Sequence, residues 1–457
     1  MDKNAMFQTL ARDAYERGAF NGAWLYAEGG EIVSKGALGF RDPEGTLPVT
    51  EDTVFQLASV SKTFTSAAVL LTVRRGLLSL EDKLGRFFPE LPAYADVTIR
   101  QLLSHTGGVP DYFDDEDWFI NVWEKEHRVP GNDEIVDFLR ETKLGPLFAP
   151  GEGFEYSNTG FNLLALLVER LNGVPYEEFL QKNIFEPAGM SSTRSAHIRR
   201  DGIPFENFAR ATVIEDGKYV ADVDSREDGE VVAFDGLNGD DYVFTNIFDM
   251  LKWDRALREG KVLTAEEQAL AYAPAKLNNG KDAVYDEEEG LGYGLGWATG
   301  RDEKLGLAVS HSGGMPGVAT WFERFIDADR TLVVLTDRDP RDYRALVSYF
   351  NGVEAVARDR EPAPVRTAEE LELKAPDRSR WPDFCGEYET SYDSFRLERV
   401  FMEGDKLLGR ASNEDREDFV FRLIPVADDR FIRKDGMAEL KFGDGCVVID
   451  GVECRKK

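Results

Sequence analysis

Apolar and polar positions along the chain fall into three regimes. Asp2 to Arg17 reads as an opening helix. Ala23-Trp24-Leu25-Tyr26-Ala27 and Glu31-Ile32-Val33-Ser34-Lys35 flank Gly29-Gly30 and predict a hairpin. A small-residue helix is expected from Ser59 to about Arg75, closed by Gly76. Helical patterns then dominate to about residue 285, among them Thr98 to Leu103, a leucine-rich buried helix over Asn162 to Leu171 that ends near Gly173, and Ile247 to Leu257. Strands return at Ala308-Val309-Ser310-His311 and in a hairpin, Ala319 to Ile326 and Thr331 to Thr336. A last helix covers Asp342 to Ala357.

Strands at both ends of this region with helices between them predict one sheet assembled from distant segments. The fold class is therefore α/β (α+β), with residues 1–357 as one domain carrying a large helical insertion. Residues 358–380 are polar, contain Pro362, Pro364 and Pro376, and read as a linker with a short helix at Ala368 to Lys374. After Trp381 the pattern changes to about eight short strands with turns, which predicts a small antiparallel β-barrel over 381–457.

Composition narrows the partners. Asp and Glu number 85 against 55 Lys and Arg, a net charge of −30. Such a surface repels nucleic acid and anionic lipid, so neither is an expected partner. The N-terminus lacks the apolar core of a signal peptide and no apolar run spans a bilayer, so a cytoplasmic protein is expected; a homo-oligomer stays open. The three cysteines, Cys385, Cys446 and Cys454, suggest no disulfide framework. Neither His-Glu-x-x-His nor Cys-x-x-Cys occurs, so no metal and no cofactor is expected. The acidic run Asp114-Asp115-Glu116-Asp117 reads as a solvated loop, without calcium-loop spacing.

Candidate chemistry begins at Ser59-Val60-Ser61-Lys62, the only Ser-x-x-Lys in the chain. A serine and a lysine three apart at a helix start share one face, so the amine can reach the hydroxyl and activate it. The bland alternative is a capping serine and a solvated lysine. Tyr156-Ser157-Asn158 lies between a Pro-Gly turn and the leucine-rich helix. A tyrosine there can relay a proton, and an asparagine amide can accept from the lysine and donate to a substrate carbonyl. His311-Ser312-Gly313-Gly314 ends a strand, where the glycines permit close approach of a ligand and the histidine is expected to face the cleft. His105-Thr106-Gly107-Gly108 has the same pattern but follows a helix, and His105, His127 and His197 read as structural. An α/β-hydrolase triad is disfavoured because no Gly-x-Ser-x-Gly occurs.

In this order, Ser59-x-x-Lys62, Tyr156-x-Asn158 and His311-x-Gly313 resemble the signature elements of serine β-lactamase-like and penicillin-recognising hydrolases. The group contains class C β-lactamases, a type of DD-carboxypeptidase, D-aminopeptidases and esterases. Leu102-Leu103-Ser104-His105-Thr106-Gly107-Gly108 and Gly292-Tyr293-Gly294-Leu295-Gly296-Trp297 are similar to the same family. The resemblance implies an antiparallel sheet flanked by helices and a lipocalin-like C-terminal barrel that borders the active site or serves as a dimerisation or stability module. It implies Ser59 as the acylated nucleophile, Lys62 and Tyr156 as the proton shuttle with the base unassigned, and Asn158 orienting Lys62 and substrate. It further implies His311 supporting Tyr156, the backbone N–H groups of Ser59 and Gly314 as an oxyanion hole, and Ser312 and Gly313 along the substrate. His311 stands where typical β-lactamases carry lysine, so efficient β-lactam hydrolysis is not expected. The implied activity is hydrolysis of short acyl esters or D-amino-acid peptides; a catalytically weak penicillin-binding-like scaffold is the alternative.

Overall fold

The computed structural model describes residues 2–115, 117–142, 144–202, 205–222, 233–286, 290–389, 396–413, 416–443, 445–449 and 452–457. Glu116 of the acidic run and residues 223–232 of the Asp/Gly-rich loop lie outside the described residues. The chain forms two compact units, essentially Asn21–Asp339 and Asn4–Phe20 with Pro340–Lys457.

The first unit is built on an eight-stranded sheet. Its strands are β1 (Gly22–Glu28), β2 (Glu31–Leu38), β8 (Val284–Asp286), β9 (Leu291–Tyr293), β10 (Ala298–Asp302), β11 (Gly306–Met315), β12 (Val318–Phe325) and β13 (Arg330–Thr336), in the order β2-β1-β13-β12-β11-β10-β9-β8. All pairings in the sheet are antiparallel. The first hairpin thus joins the last: Gly22 pairs with Thr336 and Glu28 with Arg330. Gly22 is required there, because a Cβ would lie 2.0 Å from the Leu335 carbonyl oxygen. A second sheet holds β3 (Phe55–Gln56), β4 (Arg194–Ser195) and β7 (Val243–Thr245), with β7 central, and β5 (Thr212–Glu215) and β6 (Lys218–Ala221) form a hairpin.

Two helices pack together inside this unit, Lys62–Arg74 and Asn158–Asn172. The first is buried from Lys62 to Thr72, the second from Thr159 to Val168. Helices apolar around most of their circumference belong in a core. The second is capped by the Ser157 side chain, which accepts from Gly160 N–H, and ends at Gly173 in a left-handed conformation.

In the second unit the helices Lys3–Glu16 and Tyr343–Ala357 group with an eight-stranded closed barrel running from Gly386 to Lys456. Trp381, Phe384, Phe431, Leu440 and Phe442 fill the barrel core, with Phe384 and Phe442 stacked at 4.6 Å. The segment expected to be a free linker is tied down: Ala368 N–H donates to Asp342 at 2.8 Å and Arg17 pairs with Glu370 at 3.0 Å. Its expected helix shrinks to a 3-10 turn, Glu369–Leu371, because the Leu373 N–H is used by the Pro425 carbonyl at 2.9 Å.

Candidate active site

Ser59 does not open the α-helix. It sits in a 3-10 turn, Ala58–Ser61, and the α-helix starts at Lys62. The turn is pinned to β7 from both sides: Leu57 N–H donates to Val243 O at 2.9 Å, and Val243 N–H donates to Ser61 Oγ at 3.1 Å. Ala58 is forced to φ +47, a conformation that costs an L-residue about 1–2 kcal/mol. A turn with three residues per revolution eclipses positions i and i+3, which sets Lys62 directly over Ser59. Ser59 is half-buried while Lys62 is wholly buried.

Lys62 Nζ meets three acceptors: Ser59 Oγ at 3.1 Å, Asn158 Oδ1 at 2.6 Å and the Asp240 carbonyl at 3.1 Å. An ammonium has three N–H bonds, and each finds a partner. Loss of one proton leaves a lone pair that the Ser59 hydroxyl can address. Burial lowers the Lys62 pKa to about 8, against the pull of Asp240, Asp111 and Asp241, which holds the proton on. Burial raises Asp111 to about 6 and Asp241 to about 7.

Asn158 is the first residue of its helix. Its backbone N–H and Nδ2 both donate to Asp111 Oδ2, at 2.7 Å and 3.0 Å. Asp240 is held through its carboxylate by Tyr112 Oη at 3.0 Å and Asn162 Nδ2 at 2.5 Å, which fixes the carbonyl that receives Lys62. Tyr156 places its ring 4.9 Å from Lys62 Nζ. Its hydroxyl is buried and makes no hydrogen bond of normal geometry. Burial drives its pKa well above 10, although Ser59 is near enough to oppose that rise.

Strand β11 passes beside the Ser59 turn. A Cβ on Gly313 would lie 2.3 Å from Leu57 O and 2.3 Å from Thr320 Oγ1, so only glycine fits. At Gly314 the space is open and the residue is exposed. Ser312 is half-buried, its Oγ 3.5 Å from Tyr285 Oη. The His311-to-Gly314 stretch lies within the strand, since β11 runs on to Met315.

The structure brings Ser59, Lys62, Tyr156 and Asn158 together, with Gly313 packed against the same turn. His311 differs from its expected orientation. It is 2% exposed rather than facing a cleft, and its Nε2 bonds Tyr293 Oη at 2.8 Å. Burial lowers its pKa to about 3. Sequence reasoning missed Asp111, Asp240 and Asp241, which lie in loops without a motif, and gave no role to His105 and Tyr293. The last two sit in the stretches Leu102 to Gly108 and Gly292 to Trp297, whose family-like pattern was the available signal.

A family model described as Beta-lactamase matches residues 7–352, and the chain belongs to that family. Penicillin-binding protein 4* of Bacillus subtilis is 32% identical over 444 residues, covering 96% of this chain and 94% of its own. Esterase EstB of Burkholderia gladioli is 34% identical over 221 residues, covering 45% of this chain and 54% of its own. The D-amino acid amidase of Ochrobactrum anthropi SV3 superposes with a TM-score of 0.62 at 25% identity, over 78% of this chain and 97% of its own. The octameric penicillin-binding protein homologue of Pyrococcus abyssi shares the fold over 100% of both chains, with a TM-score of 0.68 at 22% identity.

Proposed function

We propose that this chain is a serine hydrolase that cleaves an ester or amide through an acyl-enzyme on Ser59, with short acyl esters or D-amino-acid amides and peptides as substrates. The observation that carries the reading is a buried lysine amine, its pKa lowered to about 8, held between the Ser59 hydroxyl and the Asn158 amide oxygen. Neutral Lys62 takes the Ser59 proton as Oγ bonds to the substrate carbonyl carbon. Backbone N–H groups of Ser59 and Gly314 receive the oxyanion, each worth about 3–4 kcal/mol in such sites. As the carbonyl re-forms, the bond to the alkoxide or amine breaks. Tyr156 donates its proton to that leaving group and is refilled from Lys62. Water then repeats the addition, giving its proton to the same pair, and releases the acid with Ser59 regenerated. Assigning the base to Lys62 follows from the opposed shifts: a lowered amine suits a base and a raised phenol suits an acid. The kinship with an esterase and the likeness to a D-amino acid amidase support the substrate range.

The test is p-nitrophenyl butyrate hydrolysis by wild type and Ser59→Ala, with circular dichroism to establish that both are folded. Turnover in the wild type that disappears in the variant is expected, together with a butyryl adduct on Ser59 by mass spectrometry. Equal rates in the two proteins would remove Ser59 from the reaction.

A further inference from the structure

Tyr156 must present its hydroxyl to a leaving group, yet it sits in a loop between a Pro-Gly turn and the Asn158–Asn172 helix. His105 grips that loop on both sides of the tyrosine. Its carbonyl accepts the Glu155 N–H at 3.0 Å, and its Nδ1 accepts the Ser157 N–H at 3.0 Å. Its ring also lies against the Tyr156 ring, centroid to centroid 4.3 Å. His105 holds φ +55, a strained conformation for a non-glycine residue that persists only where the surroundings over-determine it.

The second nitrogen of His105 leads onward. Nε2 lies 3.3 Å from Tyr293 Oη, and Tyr293 Oη lies 2.8 Å from His311 Nε2. His311 Nδ1 lies 2.6 Å from the Ser312 carbonyl. The two ends, with a neutral His311, fix the protons between them. The Ser157 N–H can only donate, so His105 Nδ1 is bare and its Nε2 carries the hydrogen. The Ser312 carbonyl can only accept, so His311 Nδ1 carries a hydrogen; burial lowers the His311 pKa to about 3, so the ring is neutral and its Nε2 is bare. Tyr293 therefore receives from His105 and donates to His311, and both imidazoles are neutral. All three side chains are at most 2% exposed.

We propose that His105 is a positioning residue for Tyr156, and that Tyr293 couples it to His311 in one neutral, unidirectional relay. The relay locks the Tyr156 loop to strand β11. The proposal rests on the hydrolase reading for its kinetic consequence, and its proton arrangement stands apart from it.

The experiment compares Tyr293→Phe, His105→Ala and His105→Asn with wild type and Ser59→Ala on a D-amino-acid amide, whose leaving amine needs the Tyr156 proton, and in parallel on p-nitrophenyl butyrate, measuring kcat, KM and Tm. Tyr293→Phe keeps the clamp on the loop and breaks the relay, so kcat on the amide falls about five- to tenfold with KM within about twofold, the size of one hydrogen bond. His105→Ala loses both and falls further. His105→Asn partly restores kcat, because its Oδ1 stands where Nδ1 stood and asparagine tolerates a positive φ. Unchanged kcat on the amide in Tyr293→Phe and His105→Ala overturns the proposal. So does a His105→Asn variant no better than His105→Ala, or a kcat loss matched by the unfolded fraction at the assay temperature. Long-range proton–nitrogen spectra of the nitrogen-15 histidine-labelled protein read the tautomers directly, without turnover. Nε2–H on His105 and Nδ1–H on His311 are expected, and an imidazolium or the opposite tautomer at either overturns the relay. A wild type without turnover, or a Ser59→Ala variant that keeps it, overturns the hydrolase reading alone.

Discussion

Asp111 Oδ2 accepts two hydrogen bonds from one residue, the backbone N–H of Asn158 at 2.7 Å and its Nδ2 at 3.0 Å. That pair decides which end of the amide Lys62 meets. A flipped amide would set its oxygen against a carboxylate and its nitrogen against an ammonium, two repulsive contacts in a dry site. With Asp111 in place the amide oxygen faces Lys62 at 2.6 Å. Asp111 also pulls the Lys62 pKa upward by its charge.

The pH dependence of acylation follows from those two roles. With Lys62 as the proposed base and its pKa lowered to about 8, kcat/KM should rise with pH through about 8 as the ammonium loses its proton. Asp111→Asn removes a charge that favours the ammonium, so the midpoint of this rise moves to lower pH. The plateau falls as well, because Asn158 loses its holder. A pH–rate profile from about pH 6 to 10 on the ester checks both. An unmoved midpoint in Asp111→Asn would show that the limb belongs to another group.

Much of this site was legible because its motifs are local. Ser59 and Lys62 are three residues apart, and Tyr156 and Asn158 are two apart, so one turn of chain places each pair. The apolar pattern likewise gave the first hairpin, the leucine-rich helix and the strand count of the barrel. What the sequence could not display was long-range. Asp111 and Asp240 reach Lys62 only when loops 129 residues apart converge, and a lone aspartate in a polar loop has no periodicity to betray it. Ser59 was expected on an α-helix, but β7 binds the Leu57 backbone N–H and the Ser61 hydroxyl and tightens the entry into a 3-10 turn. His311 was expected in the open, and a strand alternation alone does not reveal that Tyr293 covers it.

The adjacent glycines of β11 separate packing from access. Gly313→Ala drives a methyl into the Leu57 carbonyl and Thr320 Oγ1, each 2.3 Å away, so β11 must move off the Ser59 turn. The expected cost is about 1–3 kcal/mol of stability with loss of activity. Gly314→Ala meets nothing within 4 Å. Its unfolding midpoint should stay at the wild-type value while kcat/KM drops, because the methyl projects where a substrate would lie. Urea titration beside the ester assay distinguishes the two. A Gly314→Ala variant with full activity would place the substrate elsewhere.

Away from the site, Arg324 and Asp254 form an ion pair with both side chains fully buried, Nε to Oδ1 at 2.6 Å. Arg258 and Arg255 also donate to Asp254, at 3.0 Å and 2.6 Å. Asp254→Asn leaves buried guanidinium charge uncompensated and should cost about 3–5 kcal/mol in urea unfolding. Desolvation of Asp254 is outweighed by these arginines, and its pKa falls from 3.8 to about 2. A carboxyl whose folded-state pKa is lowered stabilises the fold above its ordinary pKa and loses that contribution as pH falls toward the folded value. Wild-type stability should therefore drop between about pH 4 and 2, and Asp254→Asn should lack that portion of the acid transition.

Tyr156→Phe separates the acid from the base. The phenol pKa lies well above 10, so the group stays protonated across the working range and can only give a proton. An amide nitrogen must gain a proton before it leaves, whereas p-nitrophenolate leaves without one. Removal of the hydroxyl should therefore cost a D-amino-acid amide about a hundredfold or more in kcat, and p-nitrophenyl butyrate far less. Stability should hold or rise slightly, since the lost hydroxyl is buried and makes no hydrogen bond of normal geometry. Kinetics on the two substrates, with Lys62→Met in parallel, check the assignment: Lys62→Met should stop both reactions, because Ser59 then has no base whatever leaves. Equal losses on ester and amide in Tyr156→Phe would instead make the tyrosine the base, and Lys62 the cation that lowers its pKa.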